Sequence, residues 1–428
     1  MPTIQRLSAH EILDSRGRPT VSATCELKGG VSASASVPSG ASTGHAEAWE
    51  LRDGDARRYR GLGCRKAVAS IEKDLNGALA GVEFAGQAEF DQAMVALDGT
   101  PNKARLGANA ILAVSIAFAR ACACQRGVPL YRWFATLVPE APAFLPRLTI
   151  NLFSGGKHAG GQVPIQDVLL IPLGARTIDA TLSATYEIYQ TAAELILRRY
   201  GMRLLTADEG GLAPPCPTAE EMLALAVESV TTAGHGPGED VFLGVDVAAS
   251  HFYQNGIYRL GGEQLHSAEM IERLSQWVNQ YPIISVEDGL AEDDWQYWPD
   301  LRAALAGKAL VVGDDLLCTN PERIRRAIDS NACDALLLKV NQIGTLTEAA
   351  EARRLARDAG WRIAISVRSG ETEDNWAADL AVGWSGDQFK NGSITQSERL
   401  AKYNRLLAIE EETGWLVRGW PGMEQPQA

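Results

Sequence analysis

Three acids, an amine and a guanidinium stand at the ends of successive apolar runs. VFLGVD ends in Asp246, PIISVE in Glu287 and ALVVGD in Asp314; ALLLK ends in Lys339, and RIAISV leads into Arg368 and Ser369. A charge that closes a hydrocarbon run sits at the edge of an apolar interior, where it is costly unless paired or metal-bound. Three carboxylates form an all-oxygen set suited to a hard divalent cation, Mg²⁺ above all, with positions left open for substrate and water. A lysine beside such a cation holds its proton less tightly, which moves it toward what a general base needs. Each acid taken alone is as well explained as a helix cap or the partner of a nearby lysine. All three in register, followed by Lys339, are hard to obtain from packing needs.

Side chains converge from different strand ends in a closed (β/α) barrel, where the C-terminal ends of the strands share one mouth. The rhythm from residue 136 onward fits that architecture. Short apolar runs (VLLIPLG, RLLTADEGG, VFLGVDVAAS, PIISVEDG, ALVVGDD, ALLLKVNQ, RIAISVRSG) alternate with helical stretches such as AEEMLALAVESVTTAG and TLTEAAEARRLARDAG. Runs that are apolar throughout indicate strands buried on both faces, hence a parallel sheet under helices; an open doubly wound sheet is the other arrangement compatible with the rhythm. Residues 1–135 read differently, with strand-like TVSATCELKG and VSASASVPSG before the buried-helix pattern LGANAILAVSIAFARACACQRG, and the prolines of VPEAPAFLPRL separate the two parts. The expected fold is therefore α/β: a modified (β/α)8 barrel over 136–428 preceded by a smaller α+β domain over 1–135.

Composition narrows the function classes. Of 428 residues, 46% are hydrophobic and 22% charged, a globular balance, and the net charge of −13 disfavours nucleic acid and anionic membranes as partners. No stretch reads as long and apolar enough to span a bilayer, and the start lacks a basic segment followed by a greasy one, so the expected location is cytoplasmic. The seven cysteines are scattered, and Cys122 and Cys124 are expected to pack as small hydrophobes in a buried helix. There is no GxGxxG after an early strand and no GxxxxGK[ST] to support a nucleotide fold.

Across nearly the whole chain, the segments DSRGRPTV (14–21), PSGASTGHAEAWELRDGD (38–55), GANAILAVS (107–115), DEGGLAP (208–214), SVEDGL (285–290), GDDL (313–316), KVNQIG (339–344), RSGETED (368–374) and SERLAKYN (397–404) resemble the enolase (phosphopyruvate hydratase) family. The resemblance implies two Mg²⁺ per site. Asp246, Glu287 and Asp314 would hold the tightly bound ion, and Ser39, in the loop PSGASTG, would help hold the second with the substrate phosphate. Lys339 would be the base that takes the C2 proton and Glu209 the acid that assists departure of hydroxide. Arg368, Ser369 and Lys390 would bind phosphate and carboxylate, and His158, Gln166 and Asp167 would line the pocket. It also implies a small anionic phosphate or phosphonate as substrate, and a homodimer.

The chain departs from the family pattern at identifiable places. Val367 stands where the family carries histidine, deleting a group able to donate a hydrogen bond or carry a proton. Asp167 is one methylene shorter than the usual glutamate, and Gln396 replaces an arginine. Ser22 and Ala408 replace an acid and an arginine expected to pair across the subunit boundary, so the dimer interface is expected to be altered. Because the acids, the base and the acid catalyst are all kept while the polar shell changes, the expectation is a diverged enzyme on a phosphoenolpyruvate-like substrate. The named candidate is a carboxyphosphonoenolpyruvate synthase of phosphonate antibiotic biosynthesis. The alternatives are an ordinary enolase interconverting 2-phosphoglycerate and phosphoenolpyruvate and, from another class, a binding or moonlighting protein with a vestigial site.

Overall fold

The structure, a computed structural model, describes residues 1–41, 44–161, 163, 165–201, 205–420 and 422. The chain opens with an antiparallel three-stranded sheet, β1 (Ile4–Leu13), β2 (Pro19–Leu27) and β3 (Ser32–Ser36). One face of that sheet is covered by the helix Ala108–Arg126, which contacts β2 and β3 and is buried along almost its whole length. By length and composition this helix is apolar enough to cross a membrane, which corrects the reading that no stretch is. Its Ala, Ile and Leu side chains are spent on the protein's own core instead, as in core helices of globular proteins. Cys122 packs in that helix as expected, whereas Cys124, near its end, is exposed.

Eight strands then close a barrel. In chain order they are β4 (Arg147–Ser154), β5 (Asp167–Pro172), β6 (Val241–Asp246), β10 (Ile283–Glu287), β11 (Leu310–Gly313), β12 (Ala335–Leu338), β13 (Arg362–Ser366) and β14 (Gln388–Lys390). A small excursion of three strands, β7 (Tyr253–Gln254), β8 (Ile257–Leu260) and β9 (Glu263–Leu265), separates β6 from β10. Two parts of the expected barrel are corrected. The sheet is not wholly parallel, because β5 runs antiparallel to both β4 and β6. RLLTADEGG supplies no barrel strand either: among its described residues only Thr206 makes an isolated bridge, to Leu212.

The alternation of side chains along each strand fills the barrel in layers. Ile171, Ile284 and Trp420 pack together at the floor with Phe242 and Leu310. Above them lie Val312, Ala335, Leu337 and Ala364. Continuing with period 2, the next positions after Leu310 and Val312, and after Ala335 and Leu337, are Asp314 and Lys339. The charged set therefore forms the top layer of a hydrocarbon-filled barrel, at the mouth expected for functional groups.

Candidate active site

Register brings the acids together. Asp246 pairs across from both Glu287 on β10 and Asp167 on β5. Because β5 is reversed, its first residues rather than its last reach the mouth, so Gln166 and Asp167 belong to the site. The Lys390 ammonium, arriving from β14, donates to Asp246 Oδ2 at 2.8 Å and to both Glu287 oxygens at 2.8 and 2.7 Å. Gln166 Nε2 donates to the same Asp246 oxygen at 3.0 Å. Asp314 lies in a second cluster: its Oδ2 accepts from Lys339 Nζ at 2.5 Å and its Oδ1 from Gln342 Nε2 at 2.8 Å. Side-chain oxygens of Asp288, Asp314 and Asp315 approach within 4.8 Å of one another, as do ligand atoms of His158, Asp167 and Glu209. The expected trio of Asp246, Glu287 and Asp314 is thus split between two ammonium groups rather than gathered on one point, although all three share the barrel mouth.

The third cluster is built from β4, β5 and the segment after residue 205. Asn151 Nδ2 bridges Asp167 Oδ1 at 2.8 Å and Glu209 Oε2 at 3.2 Å, and Ser154 Oγ donates to Asp167 Oδ1 at 2.6 Å. His158 faces Asp167 Oδ2 at 3.5 Å and Glu209 Oε1 at 3.9 Å. These are ion-pair distances without hydrogen bonds, and His158 Nδ1, Asp167 Oδ2, Asn151 Oδ1 and Gln166 Oε1 are all buried without a hydrogen-bond partner. Asp167, one methylene shorter than the glutamate of the family pattern, thus stands 3.5 Å from the imidazole without a hydrogen bond to it.

Electrostatics follow from burial and crowding. Burial raises the Glu287 carboxyl well above its ordinary range, and the adjacent Asp246 charge adds to the effect. Asp246 itself is also raised by burial, but Lys390 more than offsets this and holds it at about 2. Burial raises Asp315 to about 7 with help from Asp314, and Asp288 rises for the same reasons. Burial lowers His158, yet Glu209 and Asp167 outweigh it and bring the imidazole up to about 9. Glu209 is raised by burial but drawn below the ordinary range by His158, Arg399 and the two lysines. Burial likewise lowers Lys339, but Asp314 overrides it, so the amine is raised rather than lowered. The expected lowering belongs to an amine beside a cation; beside the Asp314 carboxylate alone the amine is raised, and a cation sharing that carboxylate would lower it.

The donor chemistry fits a hard cation. Buried carboxylates crowd this mouth; burial and their mutual repulsion raise Glu287, Asp288 and Asp315, and a divalent ion on carboxylate oxygens would relieve that stress.

On the rim, Arg368 is buried, and its guanidinium is held by Glu47 at 2.9 and 3.2 Å and by Asn341 at 3.1 Å. Ser369 Oγ accepts from Arg16 at 3.1 Å, and Arg16 also donates to the Ser39 carbonyl at 2.9 Å. Gly370 has no room for a side chain, since a Cβ there would strike Asp14, Arg16 and Ser39. The Ser39 hydroxyl is engaged elsewhere, donating to Glu50 at 3.1 Å and accepting from Arg52 at 2.8 Å. Its loop neighbours Ser42 and Thr43 lie outside the described residues. A polar cavity of about 20 Å³ remains at the centre, lined by Lys339, Glu209, His158, Gln166, Asp246, Lys390, Ser366, Arg368 and Ser369, with Val367 and Ala41 as its apolar walls. Thus most of the expected residues meet, Glu287, Asp314 and Asp167 stand directly behind them, and Ser39 is set apart.

Sequence reasoning did not single out Asn151, Glu47, Arg16 or Gln342. Arg16, Glu47 and Gln342 lie inside segments that carried the family resemblance, DSRGRPTV, PSGASTGHAEAWELRDGD and KVNQIG, which was the available signal. Asn151 sits in LTINLFS, whose inward-facing polar residues hide its strand character.

Comparison with known proteins agrees with this architecture. Residues 4–134 match the family described as "Enolase, N-terminal domain", and residues 142–422 match "Enolase, C-terminal TIM barrel domain". The chain is 47% identical over 418 residues, covering 97% of its own length and 98% of the relative's, to the protein named Enolase 1 from Methylococcus capsulatus. With both domain types matched in order, and a relative aligned from end to end, the chain belongs to the enolase family.

Proposed function

We propose that this protein is a Mg²⁺-dependent hydro-lyase that interconverts 2-phosphoglycerate and phosphoenolpyruvate in the cytoplasm. The observation that carries the reading is the single cavity lined at once by Lys339 and Glu209, with Arg368, Ser369 and Lys390 beside them. Mg²⁺ is the cofactor, and Asp246, Glu287 and Asp314 are the residues that would hold it. When bound it supplies positive charge for the substrate carboxylate as the C2 proton leaves. Lys339 Nζ takes that proton, and Glu209 delivers one to the departing C3 hydroxyl. Against the effect of burial, His158, Arg399, Lys390 and Lys339 draw Glu209 below the ordinary range in the free protein; a phosphate on Lys390 offsets part of that charge and moves Glu209 back toward its acid form. His158 and Gln166, which line the cavity, orient the substrate, and Asp167 holds His158 from behind.

The expectation of a diverged phosphonate enzyme gives way here to ordinary enolase chemistry, which end-to-end identity to a protein named Enolase 1 favours. One observation keeps a second reading open: Val367 presents hydrocarbon to the cavity where the family pattern has imidazole. That second reading is a synthase joining phosphonoformate to the enolpyruvyl group of phosphoenolpyruvate with release of inorganic phosphate. Ultraviolet absorbance of phosphoenolpyruvate formed from 2-phosphoglycerate separates the two. Turnover that requires Mg²⁺ and stops on chelation is expected, and Val367→His should raise kcat about tenfold or more, a modest part of what one transition-state donor supplies. A folded protein that makes no phosphoenolpyruvate, yet yields a phosphonate ester by ³¹P NMR, would replace the first reading with the second.

A further inference from the structure

Asp314 and Lys339 are joined twice, once directly and once through a closed ring of buried hydrogen bonds. The direct link is Lys339 Nζ to Asp314 Oδ2 at 2.5 Å. The second runs from the Lys339 backbone N–H to Thr319 Oγ1 at 2.9 Å, from the Thr319 hydroxyl to Gln342 Oε1 at 2.7 Å, and from Gln342 Nε2 to Asp314 Oδ1 at 2.8 Å. Thr319 and Gln342 are 0% exposed, so water does not compete for these bonds. The two ends of the ring together set its direction. The Asp314 oxygen accepts, so Gln342 turns its amide nitrogen to the carboxylate and its carbonyl to Thr319. The Thr319 hydroxyl then donates to that carbonyl while its oxygen accepts from the Lys339 backbone N–H, which can only donate.

The chain bends unfavourably to make this possible. Cys318 and Thr319 are consecutive non-glycine residues at φ of 47° and 51°, and for a β-branched residue that conformation is strained. The strain sits where it aims Thr319 Oγ1 at the backbone of Lys339. The turn itself is anchored on Asp314, whose carbonyl accepts from the N–H groups of Leu317 at 3.0 Å and Cys318 at 2.7 Å.

We propose that Thr319 and Gln342 are positioning residues, which fix the mutual placement of the Lys339 amine and the Asp314 carboxylate through this ring. The proposal rests on the roles given to Lys339 and Asp314 above, and it assigns the strained turn a purpose. Neither residue touches substrate; both act through the groups they hold.

The test compares Thr319→Val, which keeps the shape and deletes the hydroxyl, with Thr319→Ser, which deletes the methyl and keeps the hydroxyl. Gln342→Leu serves as a second break in the ring. With 2-phosphoglycerate and Mg²⁺, Thr319→Val should lose about tenfold or more in kcat with little change in KM, since misplacement of a reacting group costs rate rather than binding. Thr319→Ser should stay near wild type. Titration of the metal-free proteins with Mn²⁺, followed by electron paramagnetic resonance, should show affinity weakened about tenfold in Thr319→Val and Gln342→Leu, as for other groups that orient a metal ligand. This second measurement needs no substrate: if the wild type fails to turn over 2-phosphoglycerate, the proposed reaction falls while the ring is still read by Mn²⁺. Mn²⁺ affinity unchanged in both ring-breaking variants would overturn the proposal, as would Thr319→Ser impaired as badly as Thr319→Val.

Discussion

His158 offers a quantitative check on the buried charges. Its imidazole lies 3.5 Å from Asp167 and 3.9 Å from Glu209 in a nearly water-free pocket, and these carboxylates lift its pKa from 6.5 to about 9 against the effect of burial. A group raised above its unfolded value adds stability that is complete below the unfolded pKa and disappears as pH climbs through the folded one. For His158 the window therefore runs from about pH 6.5 to about pH 9. A rise of this size corresponds to about 3 kcal/mol, on the order of 1.4 kcal/mol for each pH interval of one. Urea unfolding of the metal-free protein, measured from pH 6 to pH 10 beside His158→Gln, isolates this contribution, because glutamine keeps hydrogen-bonding capacity without the charge. The stability advantage of wild type over the variant should shrink by about 3 kcal/mol across that range. A difference that is flat with pH, or that grows as pH rises, would refute the claim that His158 is held as a cation by Asp167 and Glu209.

Two further outcomes follow from the departures from the family pattern. Asp167→Glu restores the missing methylene and should close the 3.5 Å gap to His158; gaining one charge-assisted hydrogen bond should improve kcat/KM about three- to tenfold, and a loss of activity in a folded variant would show that the gap is needed. Ser22, buried on β2, and Ala408, exposed on the helix Ser397–Thr413, occupy the places of a pair expected to cross a subunit boundary. Sedimentation should find dimerisation weaker than in the double variant Ser22→Glu/Ala408→Arg, by about tenfold in dissociation constant for one added charge pair; equal constants would remove these two positions from the interface.

The legible part of the fold was the part in which sequence pattern and geometry coincide. VFLGVD, PIISVE, ALVVGD and ALLLK are apolar through the barrel and charged at its mouth, so each run announces both a strand and the residue it delivers. β4 stayed hidden because Thr149, Asn151 and Ser154 break its hydrocarbon pattern while facing the site. QFK is too short to register as a run. The reversal of β5 leaves no trace in DVLLIP, since a strand buried on both faces looks alike in either direction, yet that reversal is what carries Asp167 to Asp246. The pairing of charges was not readable either. Lys390 reaches Asp246 and Glu287 across the barrel, a relation fixed by closure rather than by spacing along the chain.

Those pairings change the weight of an inference drawn from the sequence. Retention of Lys339, Glu209 and the acids looked like evidence for catalysis because a decaying site should lose them. In the folded protein, however, the charged groups are interlocked: Lys390 with Asp246 and Glu287, Lys339 with Asp314, His158 with Asp167 and Glu209, Arg368 with Glu47. Removing one partner from a buried pair strands the other at a cost of about 3–5 kcal/mol, so folding alone would preserve much of this set even in a protein that had stopped turning over substrate. Val367 is not part of that lock. It is neutral, 6% exposed, and exchanging it orphans no charge. The chemistry can therefore change at position 367 without stranding a buried charge, and Val367→His, unlike any substitution among the acids and bases, tests activity without breaking one of these pairs.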